Sequence, residues 1–65
     1  MSAILRLPET KARVGLSRSE IYRREALGEF PRRVKLGARS VGWLADEVQQ
    51  WIEERIRESR KVGAQ

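Results

Sequence analysis

The chain contains no cysteine and no histidine. The first absence excludes a disulfide framework, and the two together exclude the usual zinc ligand sets; a reducing compartment, the cytoplasm, is the expected location. Aromatic residues are scarce: two Trp, one Tyr and one Phe among 65 residues, so each is a candidate anchor for a small core. No apolar run approaches the ~20 residues that cross a bilayer, and the stretch from Met1 to Leu7 lacks a signal-peptide core. Catalysis has little support. There is no Gly-rich phosphate loop, no carboxylate pair set among apolar residues, and no length for a deep cleft. The expectation is a protein without cofactor, metal or small-molecule substrate.

A chain this short buries only ~60% of its unfolded surface. One small domain over residues 1–65 is therefore expected, with its ordered core at about 5–61. The charge is uneven. Lys and Arg number 14 against 9 Asp and Glu, a net of +5. Residues 1–42 hold 10 bases and 4 acids, whereas residues 43–65 hold 4 bases and 5 acids. A basic part followed by a nearly neutral one points to a polyanion-facing surface backed by a structural tail.

Glycine and proline divide the chain into short elements. Leu7 to Val14 reads as a first helix, with Pro8 at a position where its missing N–H costs nothing, Glu9 near the positive helix end, and Gly15 as the stop. Leu7 and Val14 share a face, but Thr10 interrupts the apolar stripe. A second helix spans 17–27. Ser17 and Glu20 form an S-x-x-E capping box, Ile21 faces inward, and Gly28 ends the element. Arg24 and Glu25 stand where a self-sufficient helix would carry Leu or Ile, so this helix must lean on neighbours. Phe30-Pro31 closes the unit and supplies a core anchor.

Residues 33–43 alternate with period two around a Gly37-Ala38-Arg39 connection, the pattern of a hairpin. The alternation predicts Val34, Leu36, Val41 and Trp43 on one face, with Lys35, Ser40 and Gly42 on the other. Residues 44–61 read as the longest helix. Leu44, Val48, Trp51, Ile52 and Ile56 form one stripe, and Glu53 precedes Arg57 by four as a supportive pair. Residues 62–65 are expected to fray.

The expected fold class is mostly α with a small β-hairpin, a winged helix-turn-helix. In such a domain the second helix lies in the major groove. Arg18, Ser19, Tyr22 and Arg23 cluster on one exposed arc near its N-terminus. Arginine forks onto guanine, serine bonds base or phosphate, and tyrosine reaches phosphate or packs on a thymine methyl. Lys35 and Arg39 flank the hairpin tip and are expected to straddle the adjacent backbone, with entry of Arg39 into a narrow minor groove as the alternative. Arg32 and Arg33 precede it as expected phosphate contacts that add affinity and salt dependence rather than sequence choice. Arg32 and Arg33 have a competing reading as surface ion pairs with Glu29 or with acids of the last helix. The arc of Arg18, Ser19, Tyr22 and Arg23 has a plain alternative as a solvated face; the hairpin beside it favours double-stranded DNA as the partner.

The same residues resemble a known family. Arg6-Leu7-Pro8-Glu9, Gly15-Leu16-Ser17-Arg18-Ser19, Ile21-Tyr22-Arg23, Gly28-Glu29-Phe30-Pro31, Val34-Lys35-Leu36-Gly37, Arg39-Ser40-Val41-Gly42-Trp43 and Val48-Gln49-Gln50-Trp51-Ile52 are similar to the AlpA-type phage and prophage regulators, relatives of the excisionases and of the MerR-type DNA-binding domain. The likeness covers nearly the whole chain. Thr10 departs from it, standing where an aliphatic residue is expected. The resemblance implies a winged helix that binds DNA sequence-specifically and regulates transcription, typically of prophage integrase or excision genes. An architectural role in excision is the alternative within DNA binding. A rival from another class is a small protein-interaction adaptor using the last helix, and self-association or cooperative loading on DNA is compatible with either.

Overall fold

A computed structural model describes residues 3–63. The elements run β1 (Ile4–Leu5), α1 (Leu7–Val14), α2 (Arg18–Ala26), β2 (Val34–Lys35), β3 (Val41–Leu44) and α3 (Ala45–Gly63). The helices stand close to where the sequence pattern puts them. The last helix begins one residue later than expected, because Leu44 completes a strand, and it continues through Gly63. Of the expected frayed segment, residues 64 and 65 lie outside the described residues.

The helix ends follow from local chemistry. Pro8 occupies the first turn of α1, where no intrahelical donor is lost. Gly15 takes φ 70° and donates its N–H to the Lys11 carbonyl at 2.8 Å, closing the helix. Ser17 caps α2: its hydroxyl accepts the Glu20 N–H at 3.2 Å. The reciprocal half of the expected box is replaced, since the Glu20 carboxylate turns instead to Arg23 and Arg24. At the other end, Gly28 has φ 76°, its N–H bonds the Glu25 carbonyl at 3.0 Å, and the Glu29 N–H bonds that of Arg24 at 2.8 Å. That double closure on a left-handed glycine turns the chain sharply toward Phe30.

The sheet has three antiparallel strands in the order β1-β3-β2. A third strand was not legible as such: Ile4-Leu5 is too short for any periodicity to show. It pairs with the free edge of β3, Ile4 opposite Leu44 and Leu5 opposite Trp43. A two-stranded ribbon is marginal alone, so this pairing ties the wing to the body. Arg6 extends the tie, its Nε donating to the Val41 carbonyl at 3.0 Å.

The register corrects the expected strand faces. Val34 lies opposite Gly42 and Lys35 opposite Val41, so Val34 and Leu36 stand on the face of Gly42, while Lys35 shares the face of Val41 and Trp43. A shift of one residue exchanges the two faces of a strand, and the aliphatic residues on both made the choice ambiguous. On the outer face, Ile4 lies flat across Gly42. A Cβ at Gly42 would stand 2.5 Å from Ile4 Cγ2 and 3.0 Å from the Leu5 carbonyl oxygen.

Leu5 of β1, Ile21 of α2, Phe30 of the loop after α2, Trp43 of β3 and Val48 of α3 form the buried core. Leu7, Val14, Leu16, Tyr22, Trp51 and Ile52 pack around it. Thr10 is fully buried with them, and its hydroxyl donates to the Arg6 carbonyl at 3.0 Å. The interruption of the α1 stripe is thus a satisfied polar group: among the described residues no buried side-chain polar atom lacks a partner. Both indoles serve one loop. Trp43 Nε1 donates to the Pro31 carbonyl at 3.1 Å and Trp51 Nε1 to the Glu29 carbonyl at 2.8 Å, bracketing Phe30, whose ring meets Trp51 edge-on at 5.0 Å. This bracket fixes where the chain leaves α2 and enters the wing.

Candidate nucleic-acid interface

Helical geometry sorts the surface of α2 into strips. Ile21 is buried against the core; Ser19, Arg23 and Ala26 point outward; Arg18 and Tyr22 flank them on the side of the ribbon; Glu20 and Arg24 flank them on the other. Ser19 and Arg18 are exposed at the helix N-terminus, where backbone N–H groups and the helix dipole favour an anion.

Tyr22 joins helix to ribbon. Its ring is half-buried and packs against Trp43 with centroids 6.2 Å apart. The Arg18 guanidinium lies 5.6 Å from the ring centroid and that of Arg33 5.0 Å. One ring thus gathers a cation from the start of α2 and another from the start of the wing. Arg33 is held further by Glu25. Its backbone N–H donates to Glu25 Oε2 at 2.6 Å, and its guanidinium pairs with Oε1 of the same carboxylate. The Glu25 side chain is only 9% exposed, whereas that of Arg33 is 44% exposed. Glu25 is therefore the partner of Arg33, in place of Glu29 or the acids of the last helix.

Arg23 is also engaged. Both its Nε, at 3.3 Å, and its Nη2 donate to the Glu20 carboxylate, and Arg24 Nε donates to the same group at 3.0 Å. The Arg23 hydrogen bond holds the Glu20 carboxyl below its ordinary range, outweighing partial burial, which acts in the opposite direction; Arg24 adds to the lowering. The Arg23 guanidinium is raised in turn by the same hydrogen bond and charge. Glu20 thus holds the most outward-pointing arginine of α2 in a defined pose, and Glu25 holds the wing's first cation. Sequence reasoning missed both carboxylates. The spacing of Glu20 to Arg23 and Arg24 is legible as i,i+3 and i,i+4, but the capping pattern claimed that residue; the Glu25–Arg33 pair spans a turn that no spacing rule covers.

Arg32, Lys35 and Arg39 are exposed and form no ion pair among the described residues. Arg39 sits in the turn at the ribbon tip, closed by the Leu36 N–H donating to the Ser40 carbonyl at 2.7 Å. Lys35, through the observed register, stands on the Trp43 side of the ribbon. Arg18, Tyr22 and Arg33 are thus brought into contact; Ser19 and Arg23 lie beside them on α2. Arg32 lines a depression with Tyr22, Glu25 and Ala26 of that helix, while Lys35 and Arg39 lie on the ribbon. Among the described residues, no group of acidic side chains could hold a metal ion, and no helix is long and apolar enough to cross a membrane.

Two helices joined by a three-residue turn, followed by a β ribbon and a long supporting helix, define a winged helix-turn-helix domain. Residues 3–56 match the family described as prophage CP4-57 regulatory protein (AlpA), and the chain belongs to that family. It is 50% identical over 59 residues to the uncharacterized protein ORF88 of Enterobacteria phage P4, an alignment covering 91% of this chain and 66% of that protein. It is 36% identical over 62 residues to the DNA-binding transcriptional activator AlpA of Escherichia coli, covering 83% of this chain and 86% of that protein.

Proposed function

We propose that this chain binds double-stranded DNA sequence-specifically and regulates transcription, with prophage integrase or excision genes as its targets. In this reading α2 enters the major groove, where Arg18, Ser19 and Arg23 meet base edges or phosphates. The β2–β3 ribbon lies along the flanking backbone, with Arg32, Lys35 and Arg39 on phosphates. Tyr22 acts as the platform that sets Arg18 and Arg33 relative to each other, rather than as a base reader. Cooperative loading through self-association belongs to the same reading.

The observation that carries it is the Arg18–Tyr22–Arg33 stack, because it makes the cations of helix and ribbon parts of one surface. The activator of Escherichia coli that shares 36% identity lends support. Titration of a labelled duplex by fluorescence anisotropy at several salt concentrations tests the proposal. About five phosphate contacts would lower affinity by ~10²–10³ between 50 and 200 mM salt. An affinity that does not change with salt overturns it.

A further inference from the structure

Past Ile52, α3 leaves the body of the protein. Residues 53–61 are all exposed, and Ile56, which continues the stripe of Val48 and Ile52, is 44% exposed. The domain is 48 Å long against 27 and 19 Å in its other dimensions. The charge on this helix changes sign at its middle. Every charged residue from Asp46 to Glu54 is acidic, and from Arg55 to Lys61 all but Glu58 are basic. The helix dipole rewards such charges only within the first and last turns, so it does not account for a reversal between residues 54 and 55. Internal pairing does not account for it either. Glu53 stands four residues before Arg57, the spacing of a supportive pair, yet Glu53 Oε2 accepts from Gln49 Nε2 at 3.2 Å instead. Glu53, Arg57 and Arg60 take part in none of the ion pairs among the described residues, which lie at Glu20 and Glu25 of α2.

We infer that a second copy of this chain covers this face, with the two α3 helices antiparallel about a two-fold axis at Ile56. The face is self-complementary in that arrangement. An open depression on α3 is lined by Glu53, Ile56, Arg57, Arg60 and Lys61, acid at one end, bases at the other, and the isoleucine between. With Ile56 on the axis, Ile56 meets its own copy, and each Glu53, three residues before it, faces the partner's Arg60, four residues after it. Two-fold symmetry makes the ion pair twice. A parallel arrangement would set acid on acid and base on base. The contact is a single pair of helix faces and belongs to the transient class of interfaces. It acts chiefly where two chains are already held close together, because linkage raises the effective concentration of one for the other. This gives the self-association in the functional reading a surface and an orientation, and it does not require DNA to be present.

Sedimentation equilibrium of the full chain without DNA, over rising protein concentration, tests it. The mass is expected to climb from monomer toward dimer. Glu53→Arg alone and Arg60→Glu alone each replace two opposite-charge contacts with two like-charge ones and weaken association about tenfold or more. The double variant E53R/R60E restores it. Circular dichroism confirms that each variant keeps its helix content. A monomer at every concentration, or a double variant no better than the singles, overturns the inference. Binding of Ile56→Asp to a short duplex with room for one copy separates the two ideas: it remains at wild-type strength if the DNA reading holds, whatever the state of the pairing.

Discussion

Replacing Glu25 with Ala probes how the wing is set on α2. Glu25 is nearly enclosed and accepts from both the backbone N–H and the guanidinium of Arg33. A hydrogen bond to an ionised acceptor contributes ~1.5–3 kcal/mol. The guanidinium half of the pair is 44% exposed, so solvent reduces it to ~0–1 kcal/mol. Alanine returns a few tenths of a kcal/mol through its higher helix propensity, roughly 0.4. The net expected loss is about 2 kcal/mol, which lowers the melting temperature of a domain this size by roughly 8–16 °C. DNA binding separates positioning from charge. Removing an acid adds positive charge, and electrostatics alone would then tighten binding. If Glu25 positions Arg33 and the ribbon, affinity for a duplex instead falls about tenfold, measured by anisotropy at a temperature where circular dichroism shows the variant folded. Thermal stability within two degrees of the parent, or binding as tight as before, would show that Glu25 does not set the position of the wing.

The other expectations concern single sites. Gly42→Ala places a Cβ 2.5 Å from Ile4 Cγ2 and 3.0 Å from a backbone oxygen of β1, so chemical denaturation should show a loss of ~1–3 kcal/mol. Thr10→Val removes a buried hydroxyl whose acceptor, the Arg6 carbonyl, still receives the Thr10 backbone N–H at 2.9 Å; stability should stay within about 1 kcal/mol of the parent, and a larger loss would show that the hydroxyl has a role beyond packing. Glu20→Gln frees Arg23 from its carboxylate; discrimination between a selected site and a random duplex should fall, with total affinity rising. Because the Glu20 carboxyl is lowered below its ordinary value of 4.5, its contribution to α2 is fully present above that value and is lost only as pH falls through the lower folded value. Acid titration of the Glu20 carboxyl by NMR checks the direction; a midpoint at or above 4.5 would contradict it.

Much of the architecture was legible because local signals agree with one another. Pro8 and Gly15 bracket α1, Ser17 and Gly28 bracket α2, and the stripe of Val48, Trp51 and Ile52 marks the buried face of α3. What escaped was tertiary in origin. The two-residue strand β1 exists only because β3 offers it an edge. The ribbon faces were exchanged because Val34 and Leu36 are aliphatic yet exposed, held over Gly42 rather than in the core. Thr10 breaks an apolar pattern but is satisfied by a carbonyl one turn back. The candidate site was readable as a set of cations and unreadable as an arrangement. Spacing on α2 placed Arg18, Tyr22 and Arg23, whereas the carboxylate that holds Arg33 comes from eight residues away across the Gly28 turn. The supportive pair expected between Glu53 and Arg57 does not form, and Glu53 accepts from Gln49 one turn back instead.

In the proposed function, the outward strip of α2 and the β2–β3 ribbon together meet DNA. Backbone amide chemical-shift mapping during titration with a short duplex tests it most directly. The largest changes are expected at residues 17–23 and 32–41, shrinking together as salt is raised. Changes confined to residues 53–61 of α3, or spread evenly over the molecule, would contradict it.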